Sequence, residues 1–286
     1  MKLLVFGQTG QLARELARRL PAGVTADMLG RNRADLGNPT ACADAILGAE
    51  ADVVINAAAY TAVDRAEDEE TLAATINGLA PAAMARACAA RGLPFLHVST
   101  DYVFDGAGDA PFVPDHPTAP LGAYGRSKLA GEAGVRAAGG NSLILRTSWV
   151  FSAHGANFVK TMLRLGAARD SLNVVADQIG GPTAAADIAD ALFIAARRMV
   201  EGQPGGTHHL AGAPDVSWAG FARAIMAHAG LPCTINDIPA SDYPTPARRP
   251  QNSRLDCTTL ERDFGIARPD WRQSLVNVLH ELEAQP

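Results

Sequence analysis

Tyr124 and Lys128 are the residues of this chain whose types and spacing best suit chemistry. They stand four positions apart, and on a helix this spacing places both side chains on one face. A nearby ammonium favours the ionised form of a phenol, whose unperturbed pKa is about 10. We therefore predict that Lys128 lowers the pKa of Tyr124 toward neutrality, which suits proton transfer. The alternative is a surface pair, because Tyr-x-x-x-Lys occurs by chance in many helices.

The composition is typical of a globular protein with a sizeable core. Of the 286 residues 48% are hydrophobic and 19% charged, and the net charge of −5 disfavours a nucleic-acid partner. An anionic small molecule stays open as a ligand, since it needs only a local basic cluster. The four cysteines form no Cys-x-x-Cys pair, and no signal peptide or membrane-length apolar run is evident. These features predict reduced thiols, no membrane partner and a cytoplasmic location.

A glycine turn follows the first apolar run, residues 1–6. Gly7 and Gly10 stand in a Gly-x-x-Gly-x-x-Ala pattern that leads through Gln11 and Leu12 into a helix. Strand, glycine turn and helix together aim backbone N–H groups at a pyrophosphate. This position predicts a dinucleotide site; the alternative is a turn without a ligand.

The end of the second predicted strand, residues 24–29, bears on which dinucleotide binds. An NAD-binding chain usually places a carboxylate there, on the ribose hydroxyls. Here Gly30 is followed by Arg31 and Arg33, with no carboxylate until Asp35. We predict that an arginine, Arg31 in the first place, meets a 2′-phosphate and that NADPH is preferred over NADH. The alternative is that both arginines are solvated surface residues.

Alternating apolar runs and helical segments predict the fold. Strands are expected at 52–56, 95–98 and 143–145, and helices at 38–47 and 69–91, the latter broken near residue 80 by Pro81. This order predicts an α/β fold with a doubly wound parallel (Rossmann) sheet whose ligands lie at the strands' carboxyl ends. Residues 57–61 and 99–101 follow two of these strands.

A smaller α/β lobe is expected after residue 150. Helices are predicted at 156–167, 185–200, 217–229 and 271–283, and short strands at 172–175, 207–211 and 234–238. We therefore divide the chain into a dinucleotide-binding domain, 1–150, and a substrate-binding lobe, 151–286. The boundary leaves open that the chain crosses back between the two.

Thr100, Tyr124 and Lys128 occur in the order and at the separation typical of short-chain dehydrogenases/reductases. Within that superfamily the chain resembles the dTDP-4-dehydrorhamnose reductases in segments distributed over nearly its whole length: 7–12, 56–64, 99–106, 124–132, 146–151, 177–183 and 246–255. The last two segments are the most specific, because generic members of the superfamily lack them.

The resemblance implies reduction of the 4-keto group of dTDP-4-dehydro-β-L-rhamnose, the last step of dTDP-rhamnose synthesis. It implies that Tyr124 donates the proton, that Lys128 holds the nicotinamide ribose and that Thr100 hydrogen-bonds the substrate oxygen. Further positions match the family's contacts. The cofactor contacts are Gly10, Gln11, Leu12, Asp35, Leu36, Ala59, Tyr60 and Thr61; the substrate contacts are Asp101, beside Thr100, and Trp149, for which a core position is the alternative. A diphosphate also needs a cationic partner, and the proline-fixed loop 243–250 and its surroundings offer Arg248, Arg249 and Arg254, of which we select Arg249. The alternative is that these arginines form salt bridges at the surface.

Some features depart from the family or stay open. Ala13 replaces a glycine, and Gly30 stands where some relatives carry Asp, so NADH stays an alternative cofactor. Some relatives use Mg²⁺ with glutamates at a dimer contact, for which Glu15 is a counterpart, but no ligand cluster is evident in the sequence. A homodimer is therefore left open. The competing functions are an epimerase or reductase of another nucleotide sugar and a non-catalytic NADP-binding regulatory subunit.

Overall fold

Strands and helices alternate along the first half of the chain, as predicted. The computed structural model describes residues 1–284. The strands are β1 (Lys2–Phe6), β2 (Thr25–Leu29), β3 (Val53–Asn56), β4 (Phe95–Thr100), β5 (Ser142–Thr147), β6 (Val150–Phe151), β7 (Ser171–Val175), β8 (Ile179–Gly180), β9 (Thr183–Ala184), β10 (Gly206–His209), β11 (Val216–Ser217), β12 (Thr234–Ile238) and β13 (Asn252–Ser253). The helices are α1 (Gln11–Arg18), α2 (Pro39–Leu47), α3 (Glu70–Ala74), α4 (Ala80–Arg91), α5 (Ala123–Ala137), α6 (Phe158–Gly166), α7 (Ala185–Val200), α8 (Trp218–His228), α9 (Thr258–Phe264) and α10 (Trp271–Glu283).

The central sheet is parallel throughout, in the order β2-β1-β3-β4-β5-β10. Helices α2, α4 and α5 cover one face and α1 and α7 the other, each over its own apolar core. The doubly wound fold predicted from the sequence is thereby confirmed. The strand order reverses between β1 and β3, and in such sheets ligands bind at the carboxyl ends beside this reversal.

Local sequence explains the main elements. All residues of β3 are buried, as its continuous apolar run predicts for a central parallel strand. Helix α2 begins at Pro39, and the Asn38 side chain accepts a hydrogen bond from the N–H of Ala41 at 3.1 Å. The interruption expected near residue 80 is a π-helical turn, Thr75–Leu79, directly before Pro81 in the first turn of α4. Such turns are frequent at functional sites.

The second part of the chain forms a smaller lobe with its own core. Helices α6, α8 and α10 pack with the parallel pair β7–β12, and Phe151, Phe221 and Trp271 are completely buried among them. The chain also returns to the first lobe, because β10 pairs with β5 and α7 packs against α1. The division at residue 150 stays a prediction, with 185–209 packed on the central sheet. Within residues 1–284, no helix has the length and apolar character that a membrane crossing requires.

Candidate active site

The glycine turn brings β1, α1 and β3 into close contact. Gly7 has a φ of +123°, and a Cβ there would lie 3.2 Å from the Cβ of Ala13 and 3.4 Å from the carbonyl carbon of Ala57. Gly7 is therefore required by conformation and by space. Ala13 is fully buried against this turn. Gly10 precedes α1, has no side-chain cap and opens onto free space, so the first N–H groups of α1 can receive a pyrophosphate.

Gln11 and Leu12 have side chains committed to the protein. The Gln11 Oε1 accepts hydrogen bonds from Ser152 Oγ at 3.0 Å and from Asn157 Nδ2 at 2.9 Å, which tie the turn to the second lobe. Leu12 is buried in the core beneath the sheet. Both residues can therefore offer a cofactor their backbone N–H groups, which is what a helix N-terminus supplies.

The loop after β2 holds two arginines. Arg33 forms a close ion pair, whereas Arg31 has no partner at short range within residues 1–284. Arg33 forms a two-pronged ion pair with Asp27, at 2.5 and 2.9 Å. Arg31 is 84% exposed in its side chain and lies 4.0 Å from Asp35. Leu36 is buried beside α2. Arg31 is thus the arginine of this loop that can move onto a phosphate.

The loop after β3 is clamped by Asn77 from the π-helical turn. The N–H of Tyr60 donates to Asn77 Oδ1 at 2.8 Å, and Asn77 Nδ2 donates to the Tyr60 carbonyl at 2.9 Å and to Ser127 Oγ at 3.0 Å. Ala59 and Thr61 on either side are exposed. One buried amide, within the π-helical turn, therefore fixes the predicted ribose-contacting loop against α5.

Tyr124 lies in the first turn of α5, beside the end of β4. Gly125 allows this approach, because a Cβ there would lie 2.3 Å from the Tyr102 carbonyl oxygen. Burial raises the pKa of Tyr124 to about 12, with the hydrogen bond to Thr100 acting against it and the charge of Asp101 adding to it. The expected lowering by Lys128 is therefore wrong for this structure. The phenol is protonated throughout the neutral range, which is the form that a proton donor needs.

Lys128 explains why the expected lowering fails. Its side chain is 2% exposed, and its ammonium donates to the carbonyl of Val98 on β4 at 2.7 Å. Burial lowers the pKa of Lys128 to about 8, against an opposing effect of the Glu132 carboxylate. Helical spacing places both side chains on one face, as predicted, but it does not decide where the ammonium points.

Thr100 and Asp101 lie where β4 ends. The Thr100 Oγ1 accepts from the N–H of Tyr102 at 3.2 Å and donates to Asp101 Oδ1 at 3.0 Å. Burial raises the pKa of Asp101 to about 6, and the nearby Ser253 and Thr100 hydroxyls act against this rise. The other oxygen, Oδ2, is buried and has no partner among the described residues. A carboxyl group with a free oxygen thus adjoins the Tyr124 phenol.

Replacing Asp101 by asparagine is expected to change how stability depends on pH. The folded protein keeps a proton on Asp101 up to about pH 6, whereas the unfolded chain releases it near pH ~4. The free energy of unfolding therefore falls as pH rises through this window and is level above it. The Asp101→Asn variant has no carboxyl group at this position and does not lose stability in this way. Its free energy of unfolding relative to wild type therefore increases by on the order of 2–3 kcal/mol from pH 4 to pH 7.

Urea unfolding of both proteins at the two pH values measures this difference. Asp109→Asn removes an exposed carboxylate from the neighbouring loop and serves as the control. An equal stability difference between Asp101→Asn and wild type at both pH values would contradict the raised pKa.

Trp149 has a strained backbone and an aromatic partner. It is the one non-glycine residue with a positive φ, +50°, among the described residues, a conformation that costs about 1–3 kcal/mol and concentrates at functional sites. Its indole stacks on Trp218 of α8 with ring centroids 3.6 Å apart, and Phe158 of α6 also packs on Trp218. The half-buried Trp149 indole is therefore fixed in orientation directly after β5.

Arg249 is paired within the protein. Its guanidinium makes two hydrogen bonds to Asp64, at 3.0 and 2.8 Å, across 185 positions of the chain. These bonds lower the pKa of Asp64. Because the first lobe supplies Asp64 and the second lobe supplies Arg249, the pair ties the proline-stiffened loop 243–250 over the edge that carries Tyr102 and Tyr124.

A cleft of about 1220 Å³ opens beside this loop. Helix α6, strand β7, Trp218 and residues 240–249 line it, and both Arg248 and Arg249 face it. Arg248 is exposed, whereas Arg254 is turned onto Asn252 Oδ1 at 3.0 Å. Arg248 and Arg249 are therefore the cations of this loop that adjoin the cleft.

Several residues around the site carry no signal in the sequence taken alone. Glu132 is fully buried on α5, and Arg146 of β5 donates two hydrogen bonds to its carboxylate, at 2.8 and 2.7 Å. Asp64, Trp218 and His97 are likewise recognised only through contacts with Arg249, Trp149 and Lys128. Their position within the family-like segments 124–132 and 146–151 is what could have directed attention to Glu132 and Arg146.

One group of potential metal ligands lies away from Tyr124. Oxygen or nitrogen atoms of Glu15, His154 and Glu281 all lie within 4.8 Å of one another. Arg18 already forms ion pairs with both glutamates, at 2.7 and 3.1 Å. The carboxylates are thus partly neutralised by the protein itself.

The sheet, the glycine turn and the Thr100, Tyr124 and Lys128 side chains at one edge define an NAD(P)-dependent oxidoreductase of the short-chain dehydrogenase/reductase class. The family model described as RmlD substrate binding domain matches residues 1–284. A dTDP-4-dehydrorhamnose reductase from Sinorhizobium fredii is 47% identical over 281 residues, 96% of this chain and 95% of that protein. The chain belongs to the RmlD family, that of the dTDP-4-dehydrorhamnose reductases.

Solved structures agree with this assignment. The dTDP-4-dehydrorhamnose reductase of Clostridium acetobutylicum superposes with a TM-score of 0.92 at 35% identity, over 99% of this chain and all of that one. The enzyme of Bacillus anthracis, solved in complex with NADP, superposes with a TM-score of 0.91 at 32% identity, over 98% and 99% of the two chains. The closeness of these matches confirms the resemblance seen in the sequence segments.

Proposed function

We propose that this chain reduces the 4-keto group of dTDP-4-dehydro-β-L-rhamnose to give dTDP-β-L-rhamnose, with NADPH as reductant. The observation that carries the proposal is the placing of Tyr124 and Thr100 at the sheet edge, over which the Asp64–Arg249 pair ties a loop whose Arg248 and Arg249 line the cleft. The names of the relatives point to the same substrate.

The cleft suits the nucleotide part of such a substrate. Its volume of about 1220 Å³ exceeds that of an ordinary small-ligand pocket, roughly 300–1,000 Å³. Phe158, Met162 and Trp218 offer apolar surface for a base, and Arg248 and Arg249 offer charge for a diphosphate. Arg249 would keep one carboxylate partner, Asp64, while turning a free edge to the phosphate.

The sugar would then lie between Trp149 and Tyr124. The stacked indole of Trp149 would provide an apolar surface for the sugar, and the Thr100 hydroxyl and the free Asp101 Oδ2 would provide its polar partners. The fixed backbone of Trp149 keeps the indole in place, and such preorganisation limits the entropy lost on binding.

Bound NADPH would supply the hydride to the C4 carbonyl carbon. As charge grows on the carbonyl oxygen, the protonated Tyr124 phenol donates its proton there. The Thr100 hydroxyl, which otherwise donates to Asp101, then donates to the developing oxyanion instead. Lys128 would hold the nicotinamide ribose from below. Its low exposure and its lowered pKa are consistent with a group placed for this contact and not for solvent.

The residues around α1 fit a dinucleotide. Gly10 leaves open space before the helix, and the N–H groups at the start of α1 point to it. The phosphate that distinguishes NADPH from NADH would meet Arg31, since Arg33 is engaged with Asp27.

Arg31→Ala is expected to raise KM for NADPH by about tenfold and to leave KM for NADH nearly unchanged. A hydrogen bond to a charged partner contributes about 1.5–3 kcal/mol, and the lower end of that range corresponds to tenfold. Steady-state kinetics with both cofactors measure the change, and Arg33→Ala is the matched control. Equal effects of Arg31→Ala on both cofactors, or a clear NADH preference of the wild type, would rule out this role.

Oxidation of NADPH in the presence of dTDP-4-dehydrorhamnose, followed at 340 nm, tests the proposed function. Parallel runs with other 4-keto nucleotide sugars test the alternative of another reductase of the same class. A run with EDTA tests whether Mg²⁺ is needed, for which Glu15, His154 and Glu281 are the candidate ligands, and sedimentation tests for a homodimer. No oxidation with any of these sugars would overturn the proposal.

A further inference from the structure

His97 is a buried, uncharged neighbour of Lys128 that the proposed chemistry does not use. It lies on β4 with no exposed surface, between Asn56 of β3 and Lys128 of α5. Gly131 packs beside it: a Cβ there would be in ordinary contact with His97 Nε2, at 3.6 Å, but would clash with the Asn77 carbonyl oxygen, at 2.1 Å. The imidazole is thus enclosed by two strands and the helix that carries Tyr124.

The hydrogen bonds of Asn56 determine the tautomer of His97. Asn56 Oδ1 accepts from the N–H of Ala58 at 3.2 Å, so its NH₂ group is the one directed at His97 Nδ1, 3.1 Å away. An amide NH₂ only donates, and Nδ1 must therefore accept. Burial, followed by the charge of Lys128, holds the pKa of His97 well below its usual value. The ring is neutral, and its single proton is on Nε2.

That N–H faces another donor. His97 Nε2 lies 3.4 Å from Lys128 Nζ, whose hydrogen-bond acceptor on β4 is the Val98 carbonyl at 2.7 Å. Two N–H groups pointing at each other give no hydrogen bond, and the ammonium is left with one acceptor from this strand.

The remaining charged groups around Lys128 do not remove this effect. Glu132, one turn along α5, favours the ammonium, but Arg146 of β5 and Arg136 of α5 already occupy its oxygens. Tyr124 and Ser127 of α5 and Asn56 of β3 are uncharged near neutral pH. Burial lowers the pKa of Lys128 to about 8, and an N–H donor aimed at an ammonium acts in the same direction.

We propose that His97 is a positioning residue for Lys128: Asn56 fixes the imidazole with its proton on Nε2, and this N–H keeps the Lys128 amine on the Val98 carbonyl while weakening its hold on a proton. The arrangement of Asn56, His97 and Lys128 does not depend on which reaction the protein catalyses. The consequence for catalysis rests on the proposed function, because a readily released proton at Lys128 can restore the Tyr124 phenol after it has reacted.

The chain suits a direct test because it contains three lysines, Lys2, Lys128 and Lys160. With ¹³Cε-labelled lysine, Lys2→Arg and Lys160→Arg assign the signals, and a pH titration gives the pKa of Lys128. His97→Phe is expected to raise that pKa by about one pH unit or more, a change equivalent to ~1.4 kcal/mol. If His97 served only to fill space, the more apolar phenylalanine would lower the pKa of Lys128 or leave it unchanged, and either result overturns the proposal.

His97→Gln covers the case in which the phenylalanine variant does not fold. Its amide can turn an oxygen toward Lys128, so the pKa of Lys128 is again expected to rise, whereas no change would mean that wild-type His97 already accepts from Lys128. Nitrogen-15 spectra of the wild-type imidazole report the tautomer directly, and a proton on Nδ1 contradicts the proposal. None of these measurements needs substrate, so failure of the proposed reduction and failure of the His97 role are separable.

Discussion

Tyr124→Phe is expected to lower kcat by at least about a hundredfold, since general acid catalysis typically contributes ~10²–10⁴-fold. The variant retains the ring, its edge-to-face contact with Tyr102 at 5.4 Å and the packing of α5, and it loses only the hydroxyl. Single-turnover reduction of dTDP-4-dehydrorhamnose under saturating NADPH isolates the chemical step from binding.

Binding of NADPH to this variant supplies the control. The glycine turn and the loop after β2 are unchanged by the substitution, so the Kd from nucleotide fluorescence should stay within about threefold of wild type, less than 1 kcal/mol. A hundredfold loss of kcat with intact NADPH binding supports the proton-donor role. Near-normal kcat would refute it, whatever the effect on KM.

Arg146→Met is expected to have the largest effect on stability, about 3–5 kcal/mol. Burial alone would raise the pKa of Glu132, yet the bonds from Arg146 outweigh it and the pKa is lowered. Arg146 also donates to the Pro114 carbonyl at 2.9 Å and lies 5.0 Å above the Phe104 ring. Removing the guanidinium leaves the Glu132 carboxylate buried without its main partner and frees the loop before α5.

The exposed pair Arg126–Glu70 provides a matched control on the same helix. Its bond of 2.8 Å is as short, but both side chains are about half exposed, so Arg126→Met should cost less than about 1 kcal/mol. Chemical denaturation measures both variants. The double variant Glu132→Gln/Arg146→Met should recover part of the loss, because no charge is then left buried. Equal costs for Arg146→Met and Arg126→Met would show that the buried pair contributes no more than a surface one.

The sequence was sufficient for the elements whose pattern is local. The apolar run of β3, the Asn38–Pro39 start of α2 and the extents of α7 and α10 follow from periodicity and capping, and the structure reproduces them. Helix α9 was missed because its seven residues are too few for a recognisable apolar period. That β10 pairs with β5 could not be foreseen, since strand pairing across 63 positions depends on the packing of α7 on α1.

The candidate site was predictable in residue types and less so in electrostatics. A spacing of four places Tyr124 and Lys128 on one helix face, but the pKa of Tyr124 depends on burial and on whether the ammonium points toward it. In the structure it points to Val98. The Asp64–Arg249 pair joins residues whose neighbourhood no local pattern encodes. The assignment of substrate contacts to Trp149, Asp101 and Arg249 therefore stays a proposal.

The most direct test of the proposed reduction follows the hydride itself. The chain is incubated with dTDP-4-dehydrorhamnose and NADPH deuterated at the transferred position of the nicotinamide, and the product is examined by mass and by proton NMR. The proposal predicts dTDP-L-rhamnose carrying one deuterium at C4, formed in step with oxidation of the cofactor. An unlabelled or epimerised sugar with no net consumption of NADPH would contradict it.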